Sequence, residues 1–235
     1  MRKPSVTSWL LLIAGLAVFL TAGNWQYGRA LQKDQGVRDF AAALADQAPP
    51  PLAAVLTEAE RSGRAYTAAS VQGTLRRDEI LLLDNQIQGG RTGVSVFVPL
   101  VTTSGQALLV QMGWVPWPDR RHPPAIPPLP ESLGTTGLIA APPSPGLIRD
   151  SVGQGPFPRV LMSIEPDVLA PILGLPSLSP KVFWPKSDPA DGFARNWQPP
   201  GIPADKHRGY ALQWFSFAIA AIILFLFLHR KKKTS

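Results

Sequence analysis

Two stretches of the chain carry no charge over a length suited to a bilayer. From Trp9 to Ala22 the only polar side chain is Thr21, and Gly209 to Leu228 is again uncharged, ending in the run Phe217 to Leu228. A helix rises about 1.5 Å per residue and the hydrocarbon layer is about 30 Å thick, so segments 8–25 and 207–228 are predicted to cross it. A cleaved signal peptide, cut near Thr21 to Gly23, is the other reading of the first stretch. No other stretch qualifies, because every remaining apolar run is interrupted by Pro, Gly or charge.

Between the spans the periodicity changes twice. Gly28 to Asp46 continues outward as a helix, with Leu31, Val37, Phe40 and Leu44 at roughly helical spacing. The triplet Pro49 to Pro51 ends it, and Leu52 to Arg61 forms a second short helix that closes near Gly63. Strands follow over Ala65 to Gly73, Glu79 to Leu83, Val94 to Val101 and Ala107 to Val115. Val94, Val96 and Val98 alternate with Ser95 and Phe97 in the manner of a half-buried strand. Turns fall at Gln88 to Gly93 and at Thr103 to Gly105. Trp117 to Pro130 holds six prolines and is read as an extended loop. Further strands are expected at Gly137 to Ala141 and Lys181 to Trp184, with a short helix over Val168 to Leu173 and an irregular return over Asp188 to Asp205. The predicted fold is a membrane protein with an N- and C-terminal transmembrane hairpin. The hairpin flanks a β-rich, barrel-like or strongly curved domain at 26–206 with one core and a few short helices.

Charge gives the orientation. Arg2 and Lys3 precede the first span, and Arg230 to Lys233 follow the second, so tails 1–7 and 229–235 are placed in the cytoplasm and the domain outside it. The net charge of +7 comes mostly from these tails. Six of the 23 basic residues lie there, while all 16 acidic residues lie between the spans, which leaves +1 for the domain. Binding to nucleic acid is therefore not indicated, and contact of the tails with anionic lipid is. There is no cysteine, which excludes disulfides, thiolate metal sites and a Cys nucleophile. The three histidines, His122, His207 and His229, are far apart, and no carboxylate pair stands out, so no catalytic constellation is predicted and the chain is read as no enzyme.

Unusual side chains gather at the mouths of the spans. Gly23 to Arg29 and Lys33 follow the first, and Lys206 to Phe215 open the second. If the spans pair antiparallel, Trp25, Gln26, Arg29, Lys33, Lys206, His207, Arg208, Tyr210, Gln213 and Trp214 meet at one interface. His207, Tyr210 and Trp214 share one helical face. One reading is an anchoring belt of aromatics and snorkelling cations. The other is a site for a flat, amphipathic, acidic ligand, in which an imidazole ligates iron and cations meet propionates; haem fits that description.

The same segments resemble a known family. Gly23-x-Trp25-Gln26-x-x-Arg29 with Lys33, then Leu83-Asp84-Asn85 with Gly93 and Val98-Pro99-Leu100, then Leu108 to Pro116, then His207-Arg208-Gly209-Tyr210-Ala211-Leu212-Gln213-Trp214 are similar, in this order, to the signatures of the surfeit locus protein 1 family. The chain departs from the family pattern at Gln111-Met112, where Asn-Arg is usual, and at Gln86, where Arg is frequent. The resemblance implies an assembly factor for a haem-copper cytochrome c oxidase in the bacterial plasma membrane, with a periplasmic domain. It implies haem a as cofactor and His207 as axial ligand of the haem iron. Tyr210, Trp214, Gln213, Trp25, Gln26 and Arg29 would line the cofactor site. The implied partners are oxidase subunit I, other oxidase assembly factors and haem a synthase. A scaffold that holds nascent subunit I without touching cofactor is the alternative it leaves open.

The charge pattern generates a topology prediction. A reporter active only outside the cytoplasm is expected to work when inserted near Pro124 and to be silent when fused after Ser235; activity at the C-terminal fusion would overturn the two-span reading.

Overall fold

The computed structural model describes residues 4–143, 155–186, 188–199 and 201–230. The basic residues Arg2, Lys3 and Lys231 to Lys233, on which the orientation argument rests, lie outside the described residues. In chain order the elements are α1 (Val6–Ala45), α2 (Leu52–Arg61), β1 (Tyr66–Leu75), β2 (Leu81–Gln88), β3 (Arg91–Thr102), β4 (Ala107–Pro116), β5 (Ser132–Ala140), β6 (Arg159–Leu161), α3 (Pro166–Ile172), β7 (Val182–Pro185) and α4 (Ala204–Leu228). They fall into two compact units. One is Met1–Val37 with Pro200–Ser235, and the other is Arg38–Pro199.

The first unit is a pair of helices. Both α1 and α4 are long and apolar enough to cross a membrane, judged by length and composition. The predicted span and the predicted helix after it are one unbroken helix in α1, because nothing between Ala22 and Ala45 interrupts the backbone: Gly23 and Gly28 are tolerated and no proline occurs.

The second unit is a mixed seven-stranded sheet in the order β1-β5-β7-β4-β3-β2-β6. β1 runs antiparallel to β5 over nine residue pairs and also meets β3 at Gly73 to Leu75, so the pairings return to the strand they began on. That second meeting rests on three pairs. The expectation of a barrel is therefore met in the coarser sense of a sheet-rich domain with one strand paired on both sides. The short edge strand β6, which hydropathy did not single out, lies parallel to β2.

The expectation of a half-buried β3 and of one core is corrected, while the Leu-Leu-Val run that ends at Val110, expected as a buried central strand, is buried in β4. β3 is buried from Gly93 to Leu100 on both faces, and β4 from Ala107 to Val115. Side chains alternate across a strand, so the two faces feed two separate clusters. Val94, Val96, Val98 and Leu100 join Leu108, Val110 and Met112 beneath Leu52 and Leu56 of α2. Phe97 and Leu109 join Leu81, Leu83 and Trp184 beneath Leu169 of α3 and Leu173 just after it. The alternation in β3 thus separates two apolar environments, where an alternation of apolar and polar positions would have separated core from water.

The end of α1 enters this second cluster. Phe40 packs edge-on against Tyr66 with ring centroids 5.1 Å apart, and Trp184 stands on the other side of the tyrosine at 5.6 Å. Burial among these rings pushes the Tyr66 phenol above its ordinary range.

Three of the motifs singled out in the sequence meet around β4. β2 bulges between Leu83 and Gln86, where Asn85 takes a left-handed conformation with φ of 56°. The displaced carbonyl of Gln86 accepts a hydrogen bond from the Trp114 indole at 3.2 Å. A Cβ at Gly93 would stand 2.5 Å from the Trp114 ring, and Arg91 lies over that ring at 5.5 Å. On the opposite side Ala194, in the irregular return, bridges to Trp114, whose N–H donates to the Ala194 carbonyl at 2.9 Å. Next to it Arg195, with only 1% of its side chain exposed, donates from Nε to the Met112 carbonyl at 2.6 Å and pairs with Asp191. Met112 itself is in the core. The cation at this place thus comes from the return segment, and Met112 fits the apolar interior, while Gln111 is buried with its Oε1 unpartnered among the described residues.

Gly113 sits at this crossing with φ of 151°, a conformation that side chains rarely adopt. A Cβ there would meet Phe193 Cβ at 2.7 Å and the Ala194 carbonyl at 3.0 Å. Gly113→Val is expected to lower the stability of the sheet domain by about 1–3 kcal/mol, the range for strained backbone. Thermal or denaturant unfolding of the full chain checks this, and an unchanged midpoint would refute it.

Candidate functional site at the helix pair

The seam between α1 and α4 follows from helical spacing. On α1 the positions Phe19, Gly23, Gln26 and Ala30 recur at intervals of three and four; on α4 the same holds for His207, Ala211, Phe215 and Ala218. Gly23, Ala30, His207, Ala211 and Ala218 are buried. Small residues let two helices approach closely, and at Gly23 the Phe215 ring lies against α1, where a Cβ would stand 2.6 Å from it. Ring contacts continue the seam, with Phe19 to Trp214 at 6.1 Å and Trp9 to Phe225 at 4.7 Å. As residue numbers fall along α1 they rise along α4, so the helices are antiparallel, as the mouth-to-mouth reading expects.

A part-buried polar contact crosses the seam where α1 turns polar. His207 Nδ1 lies 2.7 Å from Gln26 Oε1, and His207 is only 7% exposed. The amide oxygen can only accept, so with this orientation of the amide Nδ1 carries the proton. A neutral imidazole has one proton on its ring nitrogens, which leaves Nε2 with its lone pair and therefore able to ligate a metal.

The other predicted site residues are distributed differently. Trp214 is partly buried and packs on Phe19 and, edge-on, on Phe217. Trp25 is 60% exposed and Tyr210 46%. Gln213 and Arg29 are exposed as well, and Arg29 donates to Gln32 on its own helix at 2.9 Å. No hydrogen bond or ring contact joins Trp25, Arg29, Tyr210 or Gln213 to His207 among the described residues. Arg208, expected to be available to an acid, is engaged by Asp34 across the seam and by Asp205 at 2.8 Å on its own helix. Sequence reasoning missed Asp34; its signal is a carboxylate one residue beyond Lys33, on the helix that faces Arg208. A shallow recess of about 660 Å³ is lined by Ala17, Val18, Thr21, Ala22 and Trp25, all on α1.

The remaining histidines are placed elsewhere. His122 is an exposed loop residue whose Nδ1 meets Asp119 at 3.0 Å, and the Arg121 guanidinium together with His122 holds the Asp119 carboxyl below its ordinary range. His229 caps the end of α4 against the Phe225 carbonyl at 2.8 Å. Among the described residues no group of three or more His, Asp or Glu side chains is arranged to hold a metal ion.

Two comparisons with known proteins bear on the chain. The model of the SURF1 family matches residues 13–219, which include both mouth segments and all seven strands. No curated protein matches the chain in sequence.

The seam predicts opposite effects at two glycines of α1. Gly23→Leu is expected to force α1 and α4 apart and to destabilise the full chain in detergent by about 1–3 kcal/mol, the usual cost of overpacking. Gly28→Ala meets nothing within 4 Å, and it is expected to be neutral or to stabilise by up to about 1 kcal/mol through helix propensity. Equal melting temperatures for Gly23→Leu and the parent protein would refute the close approach.

Proposed function

This chain belongs to the SURF1 family, a family of cytochrome oxidase assembly factors, and from that premise we propose that it handles haem a on its way into subunit I of a haem-copper oxidase. The carrying observation is His207: an imidazole enclosed between two apolar helices, with Nδ1 engaged and Nε2 left as a lone-pair donor. The donor set fits haem at a single point, where the bare Nε2 of His207 would ligate the iron. His207 would hold the iron; Trp214, two turns further along α4, and Tyr210 would meet the macrocycle; the exposed cations Arg29 and Lys206 would face the propionates. Arg208 is less suited to that role because two carboxylates already engage it. When bound, haem supplies an iron centre and its colour; the protein supplies one ligand and a dry wall.

The reading places α1 and α4 across the bacterial plasma membrane, both termini in the cytoplasm and the sheet domain in the periplasm. Their length and apolar character support this. So do the exposed Trp25 and Tyr27 where α1 turns polar, the usual place for interfacial aromatics. Partners on this reading are subunit I, haem a synthase and other oxidase assembly factors.

Co-expression with haem a synthesis followed by purification tests the proposal. A Soret band is expected in the parent protein. His207→Ala is expected to lose most of it while insertion and expression are unchanged; His122→Ala is expected to keep it; Arg29→Ala is expected to weaken binding less than His207→Ala, because it removes a peripheral charge and no ligand bond. Full retention of haem by His207→Ala would reject the ligand assignment in favour of a scaffold that holds nascent subunit without cofactor.

A further inference from the structure

We propose that Gln26 is a positioning residue for His207: across the helix seam it fixes the imidazole in the Nδ1–H tautomer and so aims the Nε2 lone pair at whatever the histidine ligates. The identity of that ligand as haem rests on the function proposed above; the tautomer does not.

Three observations carry the inference. Gln26 and His207 are 181 residues apart in sequence, yet their side chains meet at 2.7 Å, toward the short end for a hydrogen bond to nitrogen. On one helix the bond lies between Gly23 and Ala30, on the other beside Ala211, buried residues whose side chains carry no polar group to replace it. His207 is 7% exposed, so water does not compete freely for Nδ1, and an unmade bond in an apolar setting is expensive. Gln26 was expected to touch cofactor directly. Its Oε1 meets the histidine, which makes it an outer partner able to orient a metal-ligating imidazole and raise its basicity. Because donor and acceptor sit on different helices, the ligand is correctly prepared only when α1 and α4 are paired in this register.

Two measurements test this. In the apo full-length protein, labelled with ¹⁵N-histidine and held in nanodiscs at about pH 8.5, two units above the ordinary imidazole value, His207 is expected to show a protonated Nδ1 and a bare Nε2. Gln26→Leu, close in size and better suited to an apolar seam, is expected to abolish that preference, and Gln26→Glu to keep it. A bare Nδ1 in the parent protein, or a tautomer unaffected by Gln26→Leu, would overturn the inference whatever happens with haem. In the second measurement ferric haem is titrated into the same proteins. Gln26→Leu is expected to bind about 10–100-fold more weakly than the parent, the usual loss when an outer partner is removed. Gln26→Glu is expected to restore affinity and to lower the reduction potential. If His207→Ala abolishes binding while Gln26→Leu binds like the parent, the positioning role fails and the haem reading stands. If His207→Ala binds like the parent, the haem reading fails, and the ¹⁵N result alone decides the role of Gln26.

Discussion

The register of α1 against α4 depends on the place where Gln26 meets His207. An amide and an imidazole closed between apolar helices have few other partners, and in a low-dielectric setting an unpaired polar group costs more than a hydrogen bond yields in water. Sliding one helix by a turn would part them and leave both unsatisfied. The small residues Gly23, Ala30 and Ala211 allow the backbones to come close enough for the bond, but apolar contact alone is tolerant of register. The ion pair between Arg208 and Asp34 further along is half-exposed, and such pairs contribute little. One enclosed hydrogen bond therefore does for this helix pair what a single buried asparagine does for a coiled coil, selecting one alignment among several of similar packing.

The sheet domain obeys a different constraint. β3 and β4 have no solvent face along most of their length, because α2 covers one cluster and α3 the other. A strand in that position has no place for a free charge. The cation that reaches the interior, Arg195, arrives with Asp191 as counter-charge and the Met112 carbonyl as acceptor, which is how a buried guanidinium is tolerated. In the Pro-rich loop Arg120 lies over Trp117 at 4.3 Å and pairs with Asp84. The helix pair is where an imidazole and an amide meet across two elements.

Much of this was legible from residue order alone. The two apolar helices, the helix α2 between Pro51 and Gly63, and the four strands from Tyr66 to Pro116 follow from period and punctuation, signals that act locally. What was not legible depends on which elements meet. The alternation in β3 reads the same whether its second face meets water or α3. β6 is three residues long and carries no periodic signal. At the helix mouths the sequence supplied the right composition and the antiparallel pairing, and it placed Gln26 and His207 at one interface. It could not tell that the amide would face the imidazole while Trp25 and Tyr210 turned outward. That distinction is a matter of a hundred degrees of helix rotation, fixed by Gly23 against Phe215, a contact between residues nearly two hundred positions apart.

The crossing at β4 has a consequence for how the chain can vary. Asn85 in its left-handed bulge, Gly93 beneath an indole, Trp114 donating to the carbonyl that the bulge displaces, and Gly113 pressed against Ala194 are contributions to one object from three strands and a return loop. None tolerates change independently: a smaller ring in place of Trp114 would make room above Gly93 but orphan the Gln86 carbonyl, and a regular β2 would move that carbonyl away from the ring. A change at one of these positions therefore alters what the others must accommodate. Motifs that look like separate signatures when read along the chain are one packed crossing in space.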